Sequence, residues 1–565
     1  MKNKVLVLSV FLAFAVSSAI SANESPHTDI TNTERKMAES ITAEQLKDYL
    51  YFLASDAMGG RDTPSNGLDI TAQFLALNLK RWGFKPAGDN GTFFQEMTVR
   101  TDSMDPENTK LSIGSRELTI GKDFSRIFAG SNEAEGALVF CKTGWMVKSK
   151  NIKGCDQIDV RNKIVVLYTN KMPNLTRITN PPEGVTSSDL PRAGTGSDWA
   201  DPLMFAGASG AKGIILVASP ELQKNWAGIR PSVTRLEKLF EYKENSLPVL
   251  VVSQEIGEMM FAGESGDQNS DRAFEMKKTA KMLSGNTIKR QTINNVVAIW
   301  EGSDPKLKAE MVSIGAHYDA QGIRDENEAP AFITLTGTQT EIKILFPGGK
   351  TPGGDNISNG ADDNASGTVA VLGIAEALAK AKKRPKRSVL FVWNSGEEKG
   401  LWGSKYYNKY PTVDLKNVVS HFNLDMVGRS RMPDDTNENN KNLTGPDEVY
   451  VMGSEMMSSV LGSITKETNN SYLKLKYNYK YDDPKDPNRY LFRSDHISFA
   501  RSGIPFVNWF SGSHQDYHSP GDSADKIDYQ KLENITRTVF LTLWKLSELR
   551  DRPMIDKELP PELKN

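Results

Sequence analysis

Six residues of metal-binding type, His317, Asp363, Glu397, Glu398, Asp425 and His518, recur in a fixed order along the second half of this chain. Two divalent ions held close together need a carboxylate able to bridge them, plus one nitrogen and at least one further oxygen each. His317, Asp363, Glu398, Asp425 and His518 supply that set, with one carboxylate to share. Imidazole mixed with carboxylate suits Zn2+, with Co2+ or Mn2+ as substitutes. Calcium would avoid histidine, and an iron–sulfur cluster would need more than the two cysteines present. Two such ions, typically about 3.5–4 Å apart, activate water and polarise a scissile carbonyl. Glu397 stands beside Glu398, and neighbours on an extended segment point to opposite sides. One glutamate can therefore bind metal while the other serves as general base toward the attacking water.

The elements that position these residues are legible as short apolar runs: 311–316 before His317, 388–393 before the two glutamates, 418–424 before Asp425 and 504–510 before His518. Runs of this length bounded by turn residues read as parallel strands covered on both faces. In open α/β sheets ligands bind in the crevice outside the carboxyl ends of such strands, so the pattern delivers two histidines and up to four carboxylates to one sheet edge. Helices are expected from Thr42, where Thr-x-x-Gln forms a capping box ahead of Leu46, Tyr49, Leu50 and Leu53, over 69–82, over 367–380 and over 529–549. Between about 131 and 285, strand-like runs such as GALVF and KIVVLYT alternate with irregular connections and carry no cluster of ligand types, the texture of a smaller inserted domain. The expected fold class is α/β, a doubly wound mixed sheet with an inserted smaller β-rich domain. The expected boundaries are 1–22 for a leader, 41–130 and 286–550 for the main domain, 131–285 for the insertion and 551–565 for a mobile tail.

With 565 residues and a formal net charge of −2, the chain is long enough for two or more cores and has no large basic surface for nucleic acid. Its first residues combine a basic start, an apolar stretch from Val5 to about Val16 and small residues near Ser21 and Ala22. That stretch is shorter than the roughly 20 residues a membrane span needs, which favours an export signal that is cleaved. The expected location is periplasmic or secreted, in a bacterium, with no membrane contact beyond that signal; oligomeric state is not legible. Cys141 and Cys155 form either a disulfide or two separate buried thiols. A long interruption at 321–358, including RDENEA and PGGKTPGGDN, joins two proposed ligands and is expected over or beside the site.

The series GAHYDA, NGADDNASG, NSGEEKGLWGS, NLDMVG, FRSDHISF and DYHSPGD resembles the co-catalytic di-zinc exopeptidases, which include secreted bacterial aminopeptidases and the glutamate carboxypeptidase branch. LASDAMGGR and GFKPAGD resemble the amino-terminal part of secreted members, and 131–285 is similar to a protease-associated domain. The resemblance implies a zinc metallopeptidase with two Zn2+ per chain acting on peptides. His317 and Asp425 would bind one ion, Glu398 and His518 the other, and Asp363 would bridge. It implies Glu397 as general acid/base, Asp319 as the group orienting a ligand histidine, and Tyr517 as a stabiliser of the tetrahedral intermediate. The leading expectation is an aminopeptidase; the alternatives are a carboxypeptidase or dipeptidase, a single-zinc glutaminyl cyclase, and a non-catalytic receptor-like protein.

The blander readings are equally specific. His421 is expected in the core, Asp362 as an ordinary loop carboxylate, and His514 on a loop. Ser494, Asp495 and His496 are too close in sequence to form a triad. Arg429, Arg493 and Arg501 read as surface or structural residues, although a carboxypeptidase would need a cation near the metals.

Overall fold

The computed structural model describes residues 29–126, 132–168, 181–191, 194–225, 232–239, 247–323, 329–334, 341–346 and 356–564. The leader expected at 1–22 lies outside the described residues.

Four parallel strands form the heart of a twelve-stranded mixed sheet: Ser388–Asn394, Met311–His317, Val418–Leu424 and Phe506–Phe510, in that spatial order. Each is buried along its whole length, as continuous apolar runs require. Alternation decides which face each side chain covers. Val389, Phe391 and Trp393 pack with Gly367–Lys380 and Tyr529–Glu548, while Leu390 and Val392 meet Tyr407 and Phe499 from helices on the opposite face. The sheet is doubly wound, as expected. Antiparallel strands extend it on both sides, Asn286–Trp300 and Phe94–Met104 on one, Glu448–Met452 on the other.

The helix starts follow local chemistry. Thr42 accepts from Gln45 N and Gln45 reaches back to Thr42 N, the expected capping box, and the helix Ala43–Leu53 buries Leu46, Leu50 and Leu53. Burial of each such leucine contributes about 1.5–3 kcal/mol. Helices at Asn66–Arg81, Gly367–Lys380 and Tyr529–Glu548 match the periodic stretches within a few residues.

A second sheet of eight strands has its own apolar clusters on its two faces. It contains parallel Asn132–Phe140, Ile164–Tyr168, Gly213–Val217 and Val249–Val252. Cys141 and Cys155 are disulfide-bonded and buried beside it. The sheet also takes Lys110–Ile113 and Phe124–Arg126, which precede residue 131, while Ser232–Leu236 leaves it to pair with Phe94–Met104 of the large sheet. Apolar periodicity could not reveal this exchange, because pairing partners are chosen in three dimensions. As a division of the chain we propose an inserted unit that begins near 105, where Asp105 N donates to Gly285 O at 3.0 Å.

The interruption at 321–358, whose ends Gln321 and Ser358 lie beside Asp363 and His518 as expected, carries strands of its own, and the tail differs from expectation. Within 321–358, Ala329–Thr334 and Glu341–Phe346 form an antiparallel hairpin added to the large sheet beside Ser232–Leu236, and Gly322–Ile323 pairs with Ile357–Ser358 at its base; the rest of that segment lies outside the described residues. The tail, expected to be mobile, is docked: Leu563 is fully buried, and its carbonyl accepts from Arg501 Nε at 3.2 Å. Polar contacts hold it as well: Asp556 N donates to Met457 O at 3.2 Å and Lys557 Nζ to Glu455 O at 2.8 Å. Among the described residues no helix is long and apolar enough to cross a membrane.

Candidate metal centre

His317 closes the strand Met311–His317 in register with Asn394, so the ends of neighbouring parallel strands lie level. Its Nε2 stands 3.3 Å from Asp363 Oδ1 and 3.6 Å from Asp425 Oδ1. The other oxygen of Asp363 lies 3.1 Å from His518 Nε2, which is also 3.1 Å from Glu398 Oε2. The result is two ligand triads, His317–Asp363–Asp425 and Asp363–Glu398–His518, with Asp363 common to both. Glu397 belongs to neither triad, yet its Oε2 is 3.9 Å from His317 Nε2. Tyr517 stacks on the His518 ring at 3.7 Å and lines the same cleft as Glu397. The structure thus brings together His317, Asp363, Glu397, Glu398, Asp425, Tyr517 and His518.

Backbone chemistry sets this arrangement. Asp363 N donates to Asp522 Oδ2 at 3.0 Å. Asn364 Nδ2 donates to Leu424 O, and Asn364 Oδ1 accepts from Gly367 N and Met426 N, which ties the loop carrying Asp363 to the strand end carrying Asp425. A side chain at Gly367 would lie 2.2 Å from Leu424 O, so only glycine permits this approach. His317 Nδ1 lies 3.2 Å from the Asp319 carbonyl, which makes that nitrogen a donor and turns Nε2 toward the carboxylates. The Asp319 carboxylate is 3.6 Å from the ring. Its oxygens accept from Glu397 N at 3.1 Å, Glu398 N at 3.3 Å and Thr63 Oγ1 at 3.1 Å. Asp319 therefore holds the turn bearing both glutamates as well as facing the histidine.

The electrostatics call for positive charge. Burial, together with nearby Asp363, pushes Glu398 up to about 7. Glu397 is raised well above the usual carboxylate range, first by burial and then by Glu398 and Asp425, against the opposing pull of His317. Among the described residues buried His317 Nε2 and Glu398 Oε1 have no hydrogen-bond partner. Orphaned donors and acceptors of this kind are costly, and a divalent cation would satisfy them. Imidazole nitrogen and carboxylate oxygen are the donor types zinc takes. The residues present fit the ions that the sequence implied.

Comparison with known proteins agrees with this chemistry. Residues 295–543 match the sequence model of Peptidase family M28. This region belongs to peptidase family M28. Leupeptin-inactivating enzyme 1 of Streptomyces exfoliatus is 27% identical over 215 residues, covering 34% of this chain and 43% of that protein. Leucine aminopeptidase 2 of Arthroderma otae is 28% identical over 222 residues, covering 34% and 40%. The chain thus spans less than half the length of these relatives. An aminopeptidase from Aneurinibacillus sp. strain AM-1 superimposes with a TM-score of 0.48 at 16% identity, covering 94% of this chain and 98% of that one.

Several residues of the M28 region and its surroundings have a larger part than sequence reasoning assigned. Asp362, expected as an ordinary loop carboxylate, is fully buried: it accepts from Gly428 N at 2.6 Å and faces His514 Nε2 at 3.4 Å. Asp522 accepts from both Asp362 N and Asp363 N, and Arg429 stands 3.8 Å from it while bonding Asp516 at 2.8 Å. The motif DYHSPGD contained Asp522, yet nothing in spacing distinguished it from a turn residue. Arg61, in the LASDAMGGR segment, is buried and donates to Tyr318 O, Asn359 O and Gly360 O, bracing both sides of the site. Gln321 Nε2 donates to Glu398 Oε2 at 2.5 Å.

Two further histidines are structural: His421 stacks on Phe499 at 3.5 Å, and His496 Nε2 bonds Leu491 O at 2.9 Å. Ser494 accepts from Asn423 Nδ2 and has no bond to His496, so no triad forms.

Proposed function

We propose that this protein is a secreted, metal-dependent exopeptidase with two Zn2+ per chain, and that its preferred action is removal of amino-terminal residues from peptides. His317 and Asp425 would hold one ion, Glu398 and His518 the other, and Asp363 both. The observation that carries the reading is Asp363 itself, whose two oxygens face two different histidines at 3.3 and 3.1 Å. Ions held there would polarise the scissile carbonyl and make water acidic enough to be deprotonated near neutral pH.

The chain's own residues supply the rest. Glu397, outside both triads, takes the proton of the attacking water and delivers it to the leaving amine. Asp319 keeps Glu397 and Glu398 in place through their backbone N–H groups. Tyr517, on the cleft wall, offers its hydroxyl to the oxygen that gains negative charge. Burial of the centre keeps its charges effective by limiting solvent screening. Export rests on the leader, and amino-terminal sequencing of the purified protein beginning near Asn23 would support it.

The test uses leucine p-nitroanilide and its N-acetylated counterpart, with chelation and zinc restoration. Cleavage of the free-amine substrate alone, lost with chelator and regained with zinc, is the expected result. Cleavage of neither by fully loaded protein would instead favour a carboxypeptidase or dipeptidase, and one zinc per chain would favour a cyclase.

A further inference from the structure

The cleft that contains Asp363, Glu397 and Asp425 also contains one cation, Arg493. Its guanidinium stacks over the Tyr490 ring at 4.9 Å, and Tyr490 is held in turn by a 3.0 Å hydrogen bond between its hydroxyl and that of Ser513, on the loop that leads to His518. Other arginines around the centre are committed. Arg61 is consumed by backbone carbonyls and Arg429 by Asp516. Among the described residues no carboxylate lies within ion-pair distance of Arg493, although three share its cleft. A guanidinium presents five donors in a planar fork that matches a carboxylate. Here the fork is oriented by stacking and left for something that enters the cleft. The same wall offers the polar groups of Ser494 and Asn508 and the apolar surfaces of Met452 and Phe510, suited to a short aliphatic stem ending in a charge.

We propose that Arg493 is a specificity residue that receives a substrate carboxylate. The ligand chemistry is a carboxylate within one residue's reach of the scissile bond. It can come from an acidic side chain on the amino-terminal residue or from the free carboxyl end of a very short peptide. The inference rests on the exopeptidase reading and deepens it.

Two ratios of kcat/KM on zinc-loaded wild type and Arg493→Gln test it: α-linked glutamyl p-nitroanilide, its side-chain carboxyl free, against glutaminyl p-nitroanilide, and a free dipeptide against its carboxyl-terminal amide. A charge-assisted pairing is expected to favour the carboxylate form by about 10-fold or more, with that preference abolished in R493Q and leucine p-nitroanilide turnover kept. Loss of the first ratio assigns the side chain, and loss of the second the terminus. Ratios near one in wild type, or ratios unchanged in R493Q, would overturn the proposal. Calorimetric binding of glutamate against glutamine to both proteins gives a readout independent of turnover. If no substrate is hydrolysed, the exopeptidase reading fails, while a glutamate preference lost in R493Q would still uphold the carboxylate site; no preference would sink both.

Discussion

Asp362 and Asp363 are adjacent, identical in side chain and both buried, yet they belong to different kinds of environment. Asp362 is closed into a network with His514, Gly428 N and, through Asp522, Arg429. Burial lowers His514, but contact with Asp362 outweighs it and holds His514 above its usual value. Asp363 faces two histidines, one on each of its oxygens. Both networks keep buried polar atoms with no hydrogen-bond partner among the described residues, Asp362 Oδ2 and His514 Nε2 in the first, His317 Nε2 and Glu398 Oε1 in the second. What separates them is convergence: among the described residues, sets of ligand atoms close enough to hold an ion form around Asp363 and not around Asp362, and that is where function is to be sought.

The largest effect is expected from Glu397→Gln, which removes the proposed proton carrier and touches neither triad. Hydrolysis should fall about 100-fold or more with zinc content by atomic absorption unchanged. Retained activity would remove Glu397 from its role. Asp363→Ala should lose zinc and activity together while the fold persists by circular dichroism, whereas Asp362→Asn should keep zinc and lose stability. Breaking a buried charge pair costs about 3 kcal/mol or more, read as a lower denaturation midpoint of the chelated protein. Were D362N to lose zinc at unchanged stability, the contrast between the two aspartates would be wrong.

The disulfide offers a comparison outside the site. Cys141 and Cys155 close a loop with a sequence separation of 14, for which the chain-entropy argument gives about 3 kcal/mol. Serine replacement of both should destabilise the inserted unit and leave leucine p-nitroanilide turnover nearly constant; an equal loss of both would show the two units to be coupled.

The smallest effect concerns a paired charge far from the centre, Glu34 with Lys545 at 2.8 Å. Burial raises the Glu34 carboxyl, but the bonds from Lys545 and Thr31 outweigh it, so its folded value lies below the ordinary 4.5. A depressed value means that the stabilisation is present above the unfolded pKa and is lost as pH falls through the folded one. Glu34→Gln should therefore lower the melting temperature slightly at neutral pH, with the difference from wild type vanishing in acid. A difference that grew in acid would contradict the pairing.

Much of the parallel core was readable. The runs at 311–317, 388–394 and 418–424 became strands because each is buried at every position, which a sheet covered on both faces demands. The exchange of Ser232–Leu236 into the large sheet, and the docking of the tail through Leu563, were not readable. Both depend on which surfaces are left uncovered after the core has formed.

The sequence by itself determined the chemical inventory: two histidines, a shared aspartate and paired glutamates, each tied to a strand end by its position after an apolar run. Local rules of burial, alternation and capping act over a few residues, and these features need nothing more. The tertiary structure alone decided which of two neighbouring aspartates is spent on the protein's own cations, that Asp319 supports the turn of both glutamates, and that Arg493 enters the cleft without a carboxylate. Those outcomes depend on side chains that are distant in sequence meeting at distances of a few ångströms, where pairing and burial set the energies.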